Sequence, residues 1–296
     1  MKNDKLVHLP GLSLFLCFCL LTGTGRLVGM HGGDVRLTAL AELLSFASPF
    51  ALAVPAARDL RALRRRLRPH RLPKGAIGLS IKLGVTVALL SLFLNLLVYQ
   101  LAGMVGADLS ATALGASPTR WSVAARLGVV VALSAVVEEF YLRGAMLSLQ
   151  EQRVGTGACL AFSGLAFALL HGNLMNFAGP LLAGVAYAYL TYVFDSVWPA
   201  VLAHAVNNLY YLLVSWITDT YAAFGVWHWF APVNALLLLL FLYLTLRALE
   251  ILLARDAIPR FEKSAGLYDL WLLLREPGIV AFVLAFVADL ALKWVG

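Results

Sequence analysis

Three ionisable residues lie close together in a stretch that is otherwise apolar enough to cross a membrane. They are Glu138, Glu139 and Arg143. A charged side chain at the centre of a bilayer costs roughly 3 kcal/mol on insertion scales, so its default interpretation is functional. On a helix, Glu139 and Arg143 share a face at four-residue spacing and can form an ion pair. Glu138 is rotated by about 100° from Glu139 and stays available for chemistry.

Two further apolar segments each carry a polar stripe at helical spacing. In the fifth predicted helix, Phe167 and His171 are four residues apart and share a face. In the seventh, His204 and Asn208 share a face, whereas Asn207 points about 100° away. Polar side chains in lipid turn towards the interior of a helix bundle. We therefore expect these stripes to converge with the glutamates.

Such a cluster would contain the groups that peptide-bond hydrolysis requires. A carboxylate beside an imidazole can hold and activate a water, and Glu138 and His171 are the candidates for that pair. An imidazole N–H and an amide N–H can stabilise the oxyanion, and His204 and Asn208 are the candidates for these donors. Alternatively, Glu138, His171 and His204 form a ligand set for zinc. His-Glu-x-x-His is absent, which favours a reaction without an obligatory metal or other cofactor.

Several of these residues also have a purely structural interpretation. Pairing gives Glu139 and Arg143 a role in holding the fold, and Phe167 packs so as to position His171. Asn208 alone would be an ordinary polar contact between membrane helices. The functional interpretation therefore depends on four polar positions that recur together in three apolar helices.

The composition is typical of a polytopic membrane protein. The 296 residues are 61% hydrophobic and 13% charged, with a mean hydropathy of +0.84. An ordinary soluble domain is about half apolar and a quarter charged. The formal net charge is +7, but the basic residues cluster at helix ends, where they set topology, so we predict no nucleic-acid partner. The three cysteines show no metal-binding spacing and predict reduced thiols.

Hydrophobic segment lengths predict an all-α bundle of about eight or nine transmembrane helices around a polar intramembrane cavity. A span needs about 20 apolar residues, and no repeat or linker divides the chain. We therefore expect one membrane domain over residues 1–296, with the catalytic core helices at about 121–217. The predicted helices lie near residues 9–28, 37–57, 76–101, 121–149, 156–172, 177–194, 197–217, 230–253 and 277–295.

The arginine-rich segment 58–71 orients this bundle. Short and strongly basic loops stay in the cytoplasm, so we predict that this loop and the amino terminus are cytoplasmic. The basic connections at 150–155 and 254–276 fall on the same side, and those at 102–120 and 218–229 on the opposite side. Membrane lipid is a predicted partner, because a basic loop at the bilayer surface also meets anionic headgroups.

Three motifs in the core resemble those of the CPBP family, which groups the type II CAAX prenyl endopeptidases with bacterial bacteriocin-processing and self-immunity proteins. The resemblance covers about residues 130–215, and it includes the flanks at 141–144 and 195–200. Three motifs in order are far more specific than one. They are Glu138-Glu139-x-x-x-Arg143, Phe167-x-x-x-His171 and His204-x-x-x-Asn208.

The resemblance implies packed transmembrane helices around a polar cavity and proteolysis within or near the membrane. It also implies that Glu138 and His171 activate water, with His204 and Asn208 at the oxyanion. The family is often labelled metalloprotease, although a metal-free glutamate mechanism is favoured for its CAAX members. The Ala/Leu/Arg-rich chain is typical of a bacterial protein. We therefore expect the bacterial cytoplasmic membrane as its location and a peptide precursor or small membrane protein as its substrate.

Two hypotheses follow from the sequence. The leading one is an intramembrane endopeptidase with Glu138, His171, His204 and Asn208 at its active site. The alternative is a non-catalytic immunity or scaffold membrane protein that binds a peptide in the same cavity. Loss of Glu138 separates the two hypotheses. A protease would lose its function without this carboxylate, whereas a binding protein would keep it.

Overall fold

The computed structural model describes residues 8–57, 59–106, 121–221, 227–259 and 266–295. Every regular element in these ranges is a helix, with no β-strand among them, which confirms the predicted all-α class. The remaining residues, which include the first seven and parts of the predicted connections at 102–120, 218–229 and 254–276, lie outside the described part of the chain.

Eleven helical stretches can be assigned along the described ranges. The fifth is continuous over residues 123–150 and alternates between α-helical and π-helical segments. The stretches are α1 (Leu9–Met30), α2 (Val35–Ala53), α3 (Leu60–Leu67), α4 (Ala76–Met104), α5 (123–150), α6 (Thr156–Leu170), α7 (Ala178–Phe194), α8 (Trp198–Tyr221), α9 (Trp227–Ala254), α10 (Leu267–Leu274) and α11 (Pro277–Val295).

Length and composition identify five of the described helices as able to cross a membrane: α1, α2, α4, α8 and α9. A sixth span results if α10 and α11, which meet at 76°, are taken as one broken segment. The predicted count of eight or nine is not confirmed by this criterion. Two apolar helices are too short for it, since α6 has 15 residues and α7 has 17, or about 22 and 25 Å at 1.5 Å per residue.

Glu138 and Glu139 lie in a short α-helical segment of α5 that is flanked on each side by a π-helical segment. Those segments are Leu127–Leu133 and Phe140–Met146, and Ser134–Glu139 lies between them. A π-helical turn inserts an extra residue and leaves backbone carbonyls free for other donors, and it is frequent at functional sites. The segmentation therefore sets the directions in which Glu138 and Glu139 point.

Close glycine contacts hold the core helices together. A Cβ atom on Gly184 of α7 would lie 2.6 Å from Cα of Gly164 in α6. A Cβ atom on Gly278 of α11 would clash with the backbone of Gly11 in α1. Small residues let membrane helices approach until their backbones touch, and dispersion between the backbones then stabilises the crossing. The α6–α7 pair carries much of the candidate site, and α1 and α11 close over its edge.

Part of the basic loop folds as helix α3. Asp59 caps this helix by accepting hydrogen bonds from the backbone N–H groups of Arg61 at 2.9 Å and Ala62 at 3.0 Å. These two bonds hold the pKa of the Asp59 carboxyl below its ordinary value, so the cap is complete at neutral pH and is lost as the pH falls through that lowered pKa. The predicted loop is therefore ordered locally.

The same loop is anchored to the core through Arg66. Its guanidinium bonds Glu151 Oε2 at 2.8 Å and Asp195 Oδ1 at 3.2 Å, and it is nearly buried. The indole N–H of Trp198 donates to the Leu67 carbonyl at 3.0 Å. The segment thus joins the α5–α6 connection to the start of α8, in addition to its predicted topogenic role.

Contacts between connections agree with the predicted grouping of sides. Arg153 pairs with Glu276 at 2.9 Å, and the backbone N–H of Gly155 donates to Asp269 at 2.9 Å. These contacts bring the connections at 150–155 and 254–276 together, as predicted. At the other end of the bundle, the indole of Trp121 donates to the Gly33 carbonyl at 2.8 Å.

Candidate active site

Glu139 is fully buried and accepts two hydrogen bonds at one carboxylate oxygen. Arg143 Nη1 donates to Glu139 Oε1 at 3.0 Å, and His204 Nδ1 lies 2.9 Å from the same atom. Arg143 also donates to the Gly184 carbonyl at 3.2 Å and places its guanidinium 4.6 Å from the Phe167 ring centroid. The predicted ion pair is present, and Glu139 has a further histidine partner that the sequence did not predict.

The tautomer of His204 follows from this contact. An ionised carboxylate can only accept a hydrogen bond, so Nδ1 of His204 carries the proton and Nε2 remains for a ligand. The ring stacks on Tyr187 with centroids 5.2 Å apart and meets the edge of Phe167 at 5.6 Å. Both the orientation and the tautomer of His204 are therefore fixed before any substrate binds.

His171 is fixed in the same way from a different helix. Its Nδ1 lies 2.8 Å from the Phe167 carbonyl oxygen, which can only accept, so Nδ1–H donates and Nε2 keeps its lone pair. The Phe167 ring lies 4.7 Å from the imidazole, edge to face. Phe167 thus contacts His171, His204 and Arg143, and the predicted positioning contact between Phe167 and His171 is present.

Asn208 ties α8 to the first π-helical segment of α5. Its amide Nδ2 donates to the Val130 carbonyl at 2.9 Å and to the Ser134 hydroxyl at 3.2 Å. Both N–H bonds of this amide are therefore engaged within the protein. Its neighbour Asn207 donates to Asn208 Oδ1 at 3.4 Å. The predicted oxyanion role of Asn208 requires one of its hydrogen bonds to be exchanged for a bond to substrate.

A cavity of about 570 Å³ opens beside these residues. Its polar lining includes two imidazoles and four asparagine amides, those of His171, His204, Asn95, Asn176, Asn207 and Asn208. The remaining wall is mainly apolar and comes from α4, α7, α8 and the connection between α6 and α7, with Leu92, Leu96, Met175, Pro180, Tyr211 and Val214. An apolar wall around a few convergent polar groups is the usual form of a binding site.

Glu138 does not line this cavity, and its neighbour is another acid. Its carboxyl is hydrogen-bonded to that of Glu42 in α2, with the Cys17 thiol of α1 close by. Two carboxyl groups that share a hydrogen bond hold a proton between them, since two ionised groups would repel each other strongly. In the described part of the chain, no hydrogen bond joins Glu138 to His171.

Glu42 was missed by sequence reasoning, which gave no role to this position. The signal was nevertheless available, because Glu42 is an ionisable residue inside an apolar span, as Glu138 is. Rings on the same two helices confirm their register, since Phe46 and Tyr141 meet with centroids 6.1 Å apart. The candidate site therefore receives a carboxyl group from α2, outside the predicted core at 121–217.

The alternative zinc set does not fit this arrangement. Among the described residues, no three His, Cys, Asp or Glu side chains converge as metal ligands. Nδ1 of His204 faces Glu139, and Glu138 bonds to Glu42. Glu138 is thus engaged with Glu42, and the three predicted ligands Glu138, His171 and His204 do not form one metal site among the described residues.

Comparison with known families agrees with the motif analysis. Residues 120–210 match a family model described as Rce1-like, type II CAAX prenyl endopeptidase Rce1-like. This segment contains α5 to α7, the first half of α8 and all the candidate residues from the three motifs, so the predicted resemblance is confirmed over it. No curated protein and no solved structure matches the chain. Helices α1 to α4 and α9 to α11 lie outside the matched segment.

Proposed function

We propose that this chain is an intramembrane endopeptidase that hydrolyses a peptide bond of a membrane-associated peptide or protein. The match of residues 120–210 to a protease family supports peptidase activity in general. The observation that carries the specific proposal is the pair of imidazoles on one cavity, His171 and His204, whose Nδ1 atoms are already bonded to the protein. Each imidazole then keeps Nε2 for chemistry.

His171 is the proposed general base. Its Nε2 takes a proton from a water while the water oxygen attacks the carbonyl carbon of the scissile bond. Glu138 is the second acceptor for that water, and its carboxylate must turn from Glu42 to reach it. When the tetrahedral intermediate collapses, the C–N bond breaks and the proton on His171 passes to the leaving amine.

His204 is the proposed donor to the oxyanion. To donate from Nε2 while Nδ1–H bonds Glu139, the ring must carry both protons, and the Glu139 carboxylate stabilises that imidazolium. Asn208 supplies the second donor after exchanging its bond to Val130 or Ser134. Arg143 stays paired with Glu139 in both steps, and none of these steps uses a metal.

In the same proposal, the chain forms a bundle of eight or nine crossings in a bacterial cytoplasmic membrane with its amino terminus in the cytoplasm. In this proposal the short helices α6 and α7 also cross the membrane, because the longer helices around them shield their ends from lipid. The side-by-side contacts of the basic connections support the grouping of loops. Lipid and a peptide or small membrane protein are the proposed partners.

The direct test is cleavage of quenched-fluorescent peptides anchored in liposomes that contain the purified protein, with prenylated and unprenylated peptides in parallel. We expect His171→Ala and Glu138→Gln to lower kcat by about 10²–10⁴-fold, the usual contribution of an acid–base group. Glu250→Gln is the matched control, because Glu250 is exposed and pairs only with Arg247.

Two outcomes would contradict the proposal. Cleavage by His171→Ala and Glu138→Gln at the wild-type rate would remove both residues from the mechanism. Peptide binding without cleavage by the wild-type protein would favour the immunity or scaffold hypothesis instead. We expect EDTA to leave wild-type cleavage unchanged, and a loss of activity that added Zn²⁺ restores would return the zinc mechanism.

A further inference from the structure

The turn that carries His171 has an unusual backbone. Helix α6 ends at Leu170, His171 is its C-terminal cap, and Gly172 follows in the left-handed region with φ +58°. The N–H of Gly172 donates to the Leu169 carbonyl at 3.0 Å, which closes the turn. Glycine adopts this conformation without strain, as at many helix ends. The direction of the His171 side chain therefore depends on how this turn is held.

A buried lysine from the last helix holds the turn. Lys293 Nζ of α11 donates to the Gly172 carbonyl oxygen at 2.7 Å. The same ammonium pairs with Asp289 Oδ2 at 2.6 Å, and Asp289 Oδ1 accepts from Arg26 of α1 at 2.9 Å. The Lys293 and Asp289 side chains are only 9% and 5% exposed. A buried ammonium that gives one donor to a single carbonyl makes a strong and directional contact.

Gly172 lies directly against this contact, and its positive φ, not a lack of space, is what favours glycine here. A Cβ atom there would lie 3.5 Å from Lys293 Nζ and 3.9 Å from both Asp289 Oδ2 and the Phe18 ring. Phe18 of α1 in turn packs on Phe282 of α11 with ring centroids 5.5 Å apart. Helices α1 and α11 thus close together on the backbone next to His171.

We propose that the Asp289–Lys293 pair positions His171, so that the last helix of the chain completes the active site. Lys293 is a positioning residue: it fixes the Gly172 carbonyl, and with it the peptide that follows the proposed base. Asp289 holds the ammonium in place, and Arg26 holds Asp289. All three residues lie outside the segment that matches the family model. The inference rests on the proposed role of His171 as a base.

The alternative is that the pair merely attaches α11 to the bundle. The two roles predict different kinetics. A small displacement of a base from its productive geometry lowers kcat by about ten- to a hundred-fold and leaves ground-state binding nearly intact. Loss of an attachment lowers the melting temperature and the amount of folded protein, with unchanged kcat per folded molecule.

The experiment compares Lys293→Met, Lys293→Arg and Asp289→Asn in liposomes, with Arg247→Met as the control at an exposed ion pair on α9. Lys293→Met keeps most of the stem and removes the charge, and we expect kcat to fall about tenfold or more with KM changed less than twofold. Lys293→Arg restores a donor and should recover part of kcat. Asp289→Asn keeps the side-chain shape and tests the pair again if Lys293→Met does not fold.

A second readout does not depend on proteolysis. Diethyl pyrocarbonate modifies imidazole nitrogen, and mass spectrometry gives the rate at His171 relative to the rate at His204 in the same molecule. Release of the turn should raise this ratio in Lys293→Met and leave it unchanged in Arg247→Met. An unchanged ratio together with an unchanged kcat would overturn the inference. If the ratio changes in Lys293→Met but the wild-type protein cleaves no peptide, the positioning contact is supported and the proposed function is rejected.

Discussion

At the scale of single residues, Glu139 links the charged and aromatic parts of the candidate site. One buried carboxylate oxygen accepts from Arg143 and from His204. Removing one partner from such a buried pair leaves an uncompensated charge and costs about 3–5 kcal/mol. Loss of either partner of Glu139 should therefore destabilise the core by this amount, in keeping with its predicted structural role; in the proposed mechanism Glu139 also holds His204.

The carboxyl pair of Glu42 and Glu138 gives the first residue-level prediction. Glu42→Leu removes the hydrogen bond and leaves Glu138 beside an apolar group, whereas Glu42→Gln keeps an amide donor for the Glu138 carboxylate. In the proposed mechanism Glu138 acts only after it has turned from Glu42, and a hydrogen bond to a charged group contributes about 1.5–3 kcal/mol. We therefore expect kcat of Glu42→Leu, which lacks this bond, to rise by about tenfold, with a smaller effect in Glu42→Gln.

The assay is the same liposome cleavage, and Glu250→Leu is the control for replacing an exposed glutamate by leucine. Equal kcat values for wild type and Glu42→Leu would show that the bond to Glu42 does not oppose the action of Glu138. Folded protein is quantified by size-exclusion chromatography in detergent, so that a loss of fold is not counted as a loss of catalysis.

The sequence predicted contacts within one helix better than contacts between helices. Spacing alone led to the Glu139–Arg143 pair and the Phe167–His171 contact, because four residues always cover about one helical turn. The partner of His204 depends on how α8 is rotated against α5, and no spacing contains that rotation. Glu42 and Lys293 were missed for the same reason, since each reaches the site from a helix outside the three motifs.

At the scale of helices, the crossing of α6 and α7 supports both halves of the site, because α6 carries His171 and α7 supplies the carbonyl that Arg143 bonds. A methyl group on Gly184 would meet Cα of Gly164 at 2.6 Å. We expect Gly184→Ala to destabilise the protein by about 1–3 kcal/mol, the usual cost of overpacking a tight core.

The measurement is thermal unfolding in detergent, followed by intrinsic fluorescence. Gly78→Ala on α4 is the matched control, because a Cβ atom there has nothing within 4 Å, and alanine favours a helix over glycine by up to about 1 kcal/mol. The melting temperature should fall for Gly184→Ala and stay level or rise for Gly78→Ala. Equal shifts in both variants would mean that the crossing tolerates a wider separation.

The nine predicted helices lie within a few residues of observed ones, but helices α3 and α10 were missed and the internal form of α5 was not predicted. The predicted segment at 156–172 corresponds to α6, and that at 121–149 to α5. The two π-helical segments of α5 were missed because the segment is apolar throughout. An extra residue in a turn does not change such a pattern, so the sequence gives no sign of it. Helix α3 was missed because the segment had been interpreted only as a charged loop, although Asp59 is a residue that commonly caps a helix.

At the scale of the whole molecule, the connections form two groups that we assign to opposite membrane faces. The prediction concerns cysteine labelling in a variant whose native cysteines are replaced by serine. Gln152→Cys, next to the basic loop, should react with a membrane-impermeant maleimide only after the cells are permeabilised. His31→Cys should react in intact cells. His31 follows the C-terminal end of α1, and the N-terminal end of this helix is on the predicted cytoplasmic side.

Both positions are exposed in the structure, so a difference in labelling between them would come from the membrane and not from burial in the protein. Labelling of Gln152→Cys and protection of His31→Cys in intact cells would reverse the orientation. Labelling of both would mean that the two groups of connections do not lie on opposite faces. In either case the contacts that hold each group together would remain as described.

The lengths of the helices have a consequence for how far a substrate must leave water. Helices α4 and α9 have 29 and 28 residues, about 44 and 42 Å, whereas α6 is about half as long. The cavity beside His171 is thus bounded by one long helix, α4, and by the short helix α6. His171 is exposed at the end of α6. In the proposed reaction, we therefore expect a scissile amide to reach this imidazole while it is still partly hydrated, so that less of the usual penalty for burying a peptide group in hydrocarbon opposes entry.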